Sequence, residues 1–117
     1  MAQVVIGMSG VREIDKWLDE NTGERYQQQP LAQDWGRVAK VTEEAGEAID
    51  ALIGLTSQNP RKGEYATYVD LYNELADVAW TAIFAIQHFT KSETGTARIL
   101  NEKREAILNR IPEDCRP

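Results

Sequence analysis

The chain has very little cysteine, histidine and basic charge. It contains one cysteine, Cys115, and one histidine among 117 residues. A lone cysteine excludes an intrachain disulfide and favours a reducing compartment, and one histidine with one cysteine is too little for a typical zinc or iron site. Lys and Arg number 13 against 19 Asp and Glu, and the net charge of -6 argues against a surface that wraps a nucleic-acid polymer.

A long apolar run is also missing. The longest run, residues 78–86, is about half of what a bilayer crossing requires. The first eight residues contain no Lys or Arg, so the basic part of a secretory signal is absent. We therefore expect a cytoplasmic protein with no membrane contact.

The composition is that of an ordinary globular protein. Hydrophobic residues make up 42% and charged residues 27% of the chain, and a chain of this length fits one domain, residues 1–117. Only Val4–Ile6 resembles a strand. The sequence predicts an all-α fold, most simply an antiparallel four-helix arrangement.

Helical periodicity and breakers place the four helices. They are predicted at residues 10–20, 31–55, 67–89 and 96–110. Ser9 is predicted to cap the first helix and Pro112 to stop the fourth. Residues 24–30 are a polar connector, and residues 56–66 hold the turn formers that reverse the chain.

Two apolar stripes are predicted to face the core. The stripe of the second helix consists of Val38, Thr42, Ala45, Ile49 and Leu52. The stripe of the third helix consists of Tyr68, Leu71, Tyr72, Leu75, Val78, Ala82 and Ile86. The third helix carries more apolar surface than one neighbour would bury, so we expect a homodimer or a tetramer with this helix as the seam.

Acidic residues recur at helical spacing on the second and third helices. Glu43, Glu44 and Glu47 share one face, and Glu74 and Asp77 lie three apart on a helix that can pack against it. A carboxylate stripe is often just a solvated face. Two such groups on strongly apolar helices instead predict oxygen ligands for a hard divalent cation such as Mg²⁺, with Mn²⁺ as a substitute.

Few cations near these acids in sequence offer an alternative partner. Only Lys40 lies within about one turn of either group, so a bound metal would offset the repulsion. His88 lies three turns beyond Asp77 and is predicted to be a helix-end cap or a surface residue.

The spacing of these acids resembles a known family motif. Glu43-Glu44-x-x-Glu47, followed after 26 residues by Glu74-x-x-Asp77, is similar to the motif of the all-α nucleoside triphosphate pyrophosphohydrolases. The context from Lys40 to Glu47 most resembles MazG-like proteins. The likeness covers about residues 31–111.

The resemblance implies Mg²⁺-dependent hydrolysis of a nucleoside triphosphate between the α- and β-phosphates, giving the monophosphate and pyrophosphate. Its metal ligands match Glu44, Glu47, Glu74 and Asp77, and Glu43 matches a position linked to a water or to a contact with the ligands rather than with the metal. A carboxylate left free of metal can take the proton of a coordinated water, so Glu43 is the candidate base. The role implied is house-cleaning of noncanonical nucleotides.

Other residues of the site stay open. Lys103, Arg104 and Lys40 are candidates for the phosphates, although charges on a helix face are often merely solvated. Trp17 and Trp35 are weak candidates for the base, because single tryptophans at core spacing are usually packing residues. Two alternative functions are phosphoribosyl-ATP pyrophosphohydrolase and a helical assembly protein that binds a cation for stability only.

Overall fold

The computed structural model of the protein describes residues 6–115, and every regular element in that range is helical. The elements are α1 (Val11–Glu20), α2 (Glu24–Gln27), α3 (Pro30–Thr56), α4 (Tyr68–Thr90), α5 (Glu93–Leu108) and a short 3₁₀ turn (Glu113–Cys115). The prediction of an all-α chain is confirmed. The strand-like Val4 and Val5 lie outside the described residues. None of the helices in residues 6–115 has the length and apolarity that a membrane span requires.

Local sequence signals explain where the long helices begin and end. Pro30 is at the start of α3, where its missing N–H costs nothing, and Ser57 closes the helix with a left-handed φ of 55°. Thr67 and Asp70 form a capping box at α4, in which the Thr67 hydroxyl accepts from the Asp70 N–H at 3.2 Å. Ser92 accepts from the Gly95 N–H at 3.0 Å, so α5 begins three residues earlier than predicted.

Two predictions about the N-terminal third are wrong. Gly10, not Ser9, is the N-cap of α1, with a φ of 86° and no side-chain hydrogen bond. This backbone conformation suits glycine and leaves no role for the Ser9 hydroxyl. The predicted connector at residues 24–30 contains the one-turn helix α2, whose N-cap is Gly23.

Helices α3 and α4 form the centre of the chain and run antiparallel. Near the connecting loop the Tyr65 N–H donates to the Gly54 carbonyl at 3.0 Å, and at the other end His88 contacts Asp34 at 2.7 Å. Rising numbers on α4 therefore meet falling numbers on α3. Helices α1 and α5 pack on α4, and α2 packs on α3.

The buried apolar core of the described residues is small: Val11, Ala48, Ala51 and Ala85. The predicted α3 stripe does not face it, since Val38, Ile49 and Leu52 are all exposed, Ile49 by 57%. The buried face of α3 instead carries the small residues Ala48, Ala51 and Gly54, and Gly54 lies against Tyr65 and Ala66 of the loop that leads to α4.

The predicted α4 stripe is likewise only partly internal. Tyr68, Tyr72 and Leu75 are exposed, whereas Leu71 and Val78 are half-buried. The chain has a radius of gyration of 17.7 Å, against about 13 Å for a compact domain of this size. Much apolar surface is therefore left uncovered by the chain itself.

Candidate metal centre and adjoining pocket

Three carboxylates from two helices converge where α3 crosses the middle of α4. Glu44 of α3 and Glu74 and Asp77 of α4 each place one oxygen within 4.8 Å of the others. Glu74 and Asp77 share a face because they lie three residues apart, and the antiparallel register brings Glu44 opposite them. We call these three residues the acidic triad.

The electrostatics of the acidic triad are unfavourable without a cation. Glu74 Oε2 is buried and has no hydrogen-bond partner among residues 6–115. Desolvation raises the pKa of Glu44, the charge and hydrogen bond of Glu47 raise it further, and Asp77 adds to the effect. An orphaned carboxylate oxygen beside a group that resists ionisation is the condition that a bound divalent ion relieves.

Lys40 is the cation on the α3 side of the acidic triad. Its Nζ lies 3.1 Å from Glu43 Oε1 and 3.6 Å from Glu44 Oε1. The hydrogen bond to Glu43 is the main reason that the pKa of Lys40 is raised. Glu43 is exposed and lies outside the acidic triad, so its carboxylate does not share a site with the three triad carboxylates.

A pocket of about 590 Å³ opens beside the acidic triad between α1, α2, α3 and α4. Its lining includes Glu44 and Lys40 of α3 and Thr81 of α4. The remaining walls are Ile14, Leu18, Asp19, Thr22, Gly23, Tyr26, Gly36, Arg37 and Phe84. A largely apolar cavity of this size with a few polar groups is typical of a small-molecule site.

Tyr26 closes the pocket from the side of α2. Its ring lies directly against Gly36 of α3, where even a methyl group would collide with the phenol. The Tyr26 hydroxyl donates weakly to the Gln33 carbonyl at 3.5 Å. The close approach of this aromatic wall to α3 therefore depends on the absence of a side chain at position 36.

A network of charges forms another part of the wall. The Arg37 Nη2 donates to Asp15 Oδ1 at 2.8 Å and to Asp19 Oδ1 at 3.0 Å, and Lys91 Nζ lies 3.2 Å from Asp19 Oδ2. Burial raises the pKa of Asp19, but the hydrogen bonds and charges of Arg37 and Lys91 outweigh it and lower the pKa. Asp19 is therefore a carboxylate at neutral pH.

His88 belongs to this network, and its predicted place at the surface is wrong. It is only 8% exposed, because α1 and α3 cover the end of α4. Its Nε2 lies 2.7 Å from Asp34 Oδ1, and its buried Nδ1 faces Asp19 Oδ1 at 3.3 Å without a hydrogen bond. Asp15, Asp19 and His88 are close enough to share a metal, but Arg37 and Lys91 already neutralise the two aspartates.

Several predicted site residues lie away from the pocket. Trp17 is exposed, and Trp35, which is 77% exposed, lines a separate shallow cavity with Asp34, Val38 and Phe89. Lys103 and Arg104 are on exposed turns of α5 and do not line the pocket, and Arg104 lies 3.9 Å from its neighbour Glu105. Among the predicted phosphate-binding residues only Lys40 lines it.

Sequence reasoning missed Asp19, Tyr26 and Arg37. Asp19 and Tyr26 looked like ordinary polar residues at a helix end and in a connector, and Arg37 lies two helical turns before Glu44 on the same helix. Asp15 and Asp19 are like charges four apart, but each has a basic residue three positions before it, so the sequence did not call for cations from elsewhere in the fold.

The fold and the site together define an all-helical chain in which an acidic triad adjoins an apolar pocket. The chain matches no protein-family model, no curated protein and no solved structure. The geometry of the site is therefore the basis for its proposed chemistry.

Proposed function

We propose that the protein is a Mg²⁺-dependent nucleoside triphosphate pyrophosphohydrolase that cleaves between the α- and β-phosphates. The observation that carries the proposal is the acidic triad, in which Glu44, Glu74 and Asp77 meet within 4.8 Å and Glu44 also lines the 590 Å³ pocket. A hard cation held by carboxylates beside a nucleoside-sized cavity is an arrangement suited to a nucleotide polyphosphate.

The residues present fit Mg²⁺, or Mn²⁺ in its place. The donors are all carboxylate oxygens, and Glu74 Oε2 is buried with no other partner. Glu47, whose charge and hydrogen bond reach Glu44, completes the proposed ligand set. Bound there, the ion would polarise the phosphate oxygens and neutralise the charge that develops on them.

The side chains around the acidic triad divide the remaining work. Glu43 is exposed and free of the triad, so its carboxylate is the proposed base that takes a proton from the attacking water. The oxygen of that water then bonds to phosphorus as the P–O bond to the leaving pyrophosphate breaks. Lys40, paired with Glu43 and Glu44, is the proposed phosphate contact from α3. Lys103 and Arg104 of α5 do not line the pocket, so they have no part in this proposal.

The pocket is the proposed site of the base and sugar. Tyr26 and Phe84 supply aromatic walls, and Ile14 and Leu18 supply aliphatic ones. Trp17 and Trp35 are not part of this proposal, because neither lines the pocket.

The proposed assembly is a homodimer or a tetramer built from dimers, in which the helices complete an antiparallel bundle of the all-α pyrophosphohydrolase type. The chain exposes 9008 Å², against roughly 6400 Å² for a folded monomer of its mass. An excess of that order is comparable with what one subunit buries in a permanent dimer. The excess exposed surface of the chain is apolar along the exposed stripes of α3 and α4.

The test is pyrophosphate release from a panel of canonical and modified nucleoside triphosphates and from phosphoribosyl-ATP, each with Mg²⁺. We expect Glu47→Gln and Asp77→Asn to abolish turnover while leaving the helical circular dichroism unchanged, since each deletes a charge at almost constant volume. Near-native activity in either variant would remove that residue from the ligand set. Thermal stabilisation by Mg²⁺ without turnover of any nucleotide would instead favour a purely structural cation.

A further inference from the structure

Asp19 is the acidic group of the pocket wall that is remote from the acidic triad. It pairs with Arg37 at 3.0 Å, and Arg37 precedes Glu44 by seven residues, or about 10 Å along α3. That separation is comparable with the reach of a nucleotide from its α-phosphate to the far edge of its base. A nucleotide held by its phosphates near Glu44 would thus bring the edge of its base to Asp19.

Asp19 retains the capacity to accept further hydrogen bonds. An ionised carboxylate has about four lone-pair sites and no proton to donate. Arg37 Nη2 donates to Oδ1 and Lys91 Nζ donates to Oδ2, and the side chain is still 25% exposed. The two cations fix the carboxylate in place and keep it charged without using all of its acceptor sites.

The surroundings favour a donor from the ligand rather than an acceptor. Arg37 and Lys91 pair with Asp15 and Asp19, whereas Asp34 pairs with His88. Arg37 Nη2 already donates to Asp15 and Asp19, and Arg37 Nη1 donates to the Phe84 carbonyl at 3.5 Å. A carbonyl oxygen at this position would face a carboxylate in a largely apolar pocket, which is costly, whereas an amino group would be satisfied.

We propose that Asp19 accepts a hydrogen bond from an exocyclic amino group of the base, so that the protein selects nucleotides whose base carries one. Cytosine, adenine and guanine have such a group, whereas uracil, thymine and hypoxanthine do not. The inference rests on the proposed function and names the substrate class of the same site.

The experiment compares nucleotides that differ at the amino position. Pyrophosphate release is measured for dCTP against dUTP, for dGTP against dITP and for dATP against dITP, all with Mg²⁺. We expect kcat/KM to favour the amino-bearing member of at least one pair by about ten- to a hundredfold, the value of a hydrogen bond to a charged group. Equal turnover within every pair would overturn the inference.

Two aspartate variants separate base reading from general damage to the network. Asp19→Asn should lower the discrimination, because one acceptor oxygen is replaced by an NH2 group that can donate to a carbonyl of the competing base. Asp15→Asn is the matched control: Asp15 shares the partners Arg37 and Lys91 but does not line the pocket, so discrimination should persist. Discrimination that survives Asp19→Asn, or that disappears equally in both variants, would contradict the role of Asp19.

Binding separates this inference from the proposed hydrolysis. Calorimetry with the non-hydrolysable α,β-methylene analogues of the same nucleotides needs no turnover and, for the wild type, no variant that must fold. Tighter binding of the amino-bearing analogues without hydrolysis of the natural nucleotides would support the inference and end the proposed function. Hydrolysis with no amino preference would do the reverse, and absence of binding by every analogue would end both.

Discussion

Glu44 shows how one side chain links the charge of the site to its metal. Desolvation and the charge of Glu47 raise the pKa of Glu44 in the folded chain. The folded state therefore holds a proton more tightly than the unfolded state does, and without metal the stability falls as pH rises from the ordinary pKa of glutamate through the raised one. A bound cation can reverse this loss of stability only at pH values at which Glu44 is ionised.

The upward shift in the pKa of Glu44 gives a prediction about Mg²⁺ and pH. We expect the rise in melting temperature caused by Mg²⁺ to be larger at neutral pH than at mildly acidic pH, because protons compete for the same oxygens. Thermal denaturation with and without Mg²⁺ at both pH values measures the difference. In Glu44→Gln the shift should be small at either pH, and a shift of equal size at both pH values in the wild type would contradict the assignment.

Two of the three glycines of α3, Gly36 and Gly46, have different surroundings. Gly36 lies against the Tyr26 phenol, where an added methyl group would collide, whereas Gly46 has open space beside it. Glycine inside a helix generally costs stability relative to alanine because its backbone loses more freedom on folding. The two positions therefore separate backbone entropy from the contact that shapes the pocket.

We expect Gly46→Ala to raise the free energy of unfolding by about 0.5–1 kcal/mol. Gly36→Ala should give a smaller gain or a loss, because Tyr26 must move away from α3, and it should also weaken nucleotide binding at the reshaped pocket. Urea denaturation and calorimetric titration measure the two effects. The same stability gain in both variants, with nucleotide binding unaltered, would show that Tyr26 has no role as a wall.

On the scale of the whole chain, the apolar stripe of α3 is left uncovered by the other helices. The α3 stripe extends as Leu31, Trp35, Val38, Thr42, Ala45, Ile49 and Leu52, spaced alternately by four and three residues. Leu31, Trp35, Val38, Ile49 and Leu52 are exposed. Spacing of this kind is typical of a seam between helices, so we propose that α3 shares the seam that was predicted for the third helix, α4.

We therefore expect the wild-type protein to have the mass of a dimer or a tetramer in light scattering. Ile49→Glu should lower that mass and the melting temperature, because a charge would enter the apolar seam. Ile107→Glu on α5 is a matched control, since Ile107 is 49% exposed and lies outside both stripes. A monomeric wild type, or equal dissociation by both substitutions, would contradict the proposed seam.

The sequence by itself determined the four helices α1, α3, α4 and α5, but not the one-turn α2, and it determined the two halves of the acidic motif. Helical periodicity, Pro30, Thr67 and Ser92 act within a few residues of the chain, so the helices could be located to within a few residues from local signals. Spacings of three and four likewise place Glu44 beside Glu47 and Glu74 beside Asp77 without knowledge of the fold.

Only the tertiary structure decided what those faces meet. Periodicity marks an apolar face but not its partner. Here the small residues Ala48, Ala51 and Gly54 are the buried face of α3, and Ile49 is exposed. The meeting of Glu44 with Glu74 and Asp77, the burial of His88, and the pairing of Asp19 with Arg37 all depend on the register between helices. That register is set by packing across the whole chain, which no local spacing encodes.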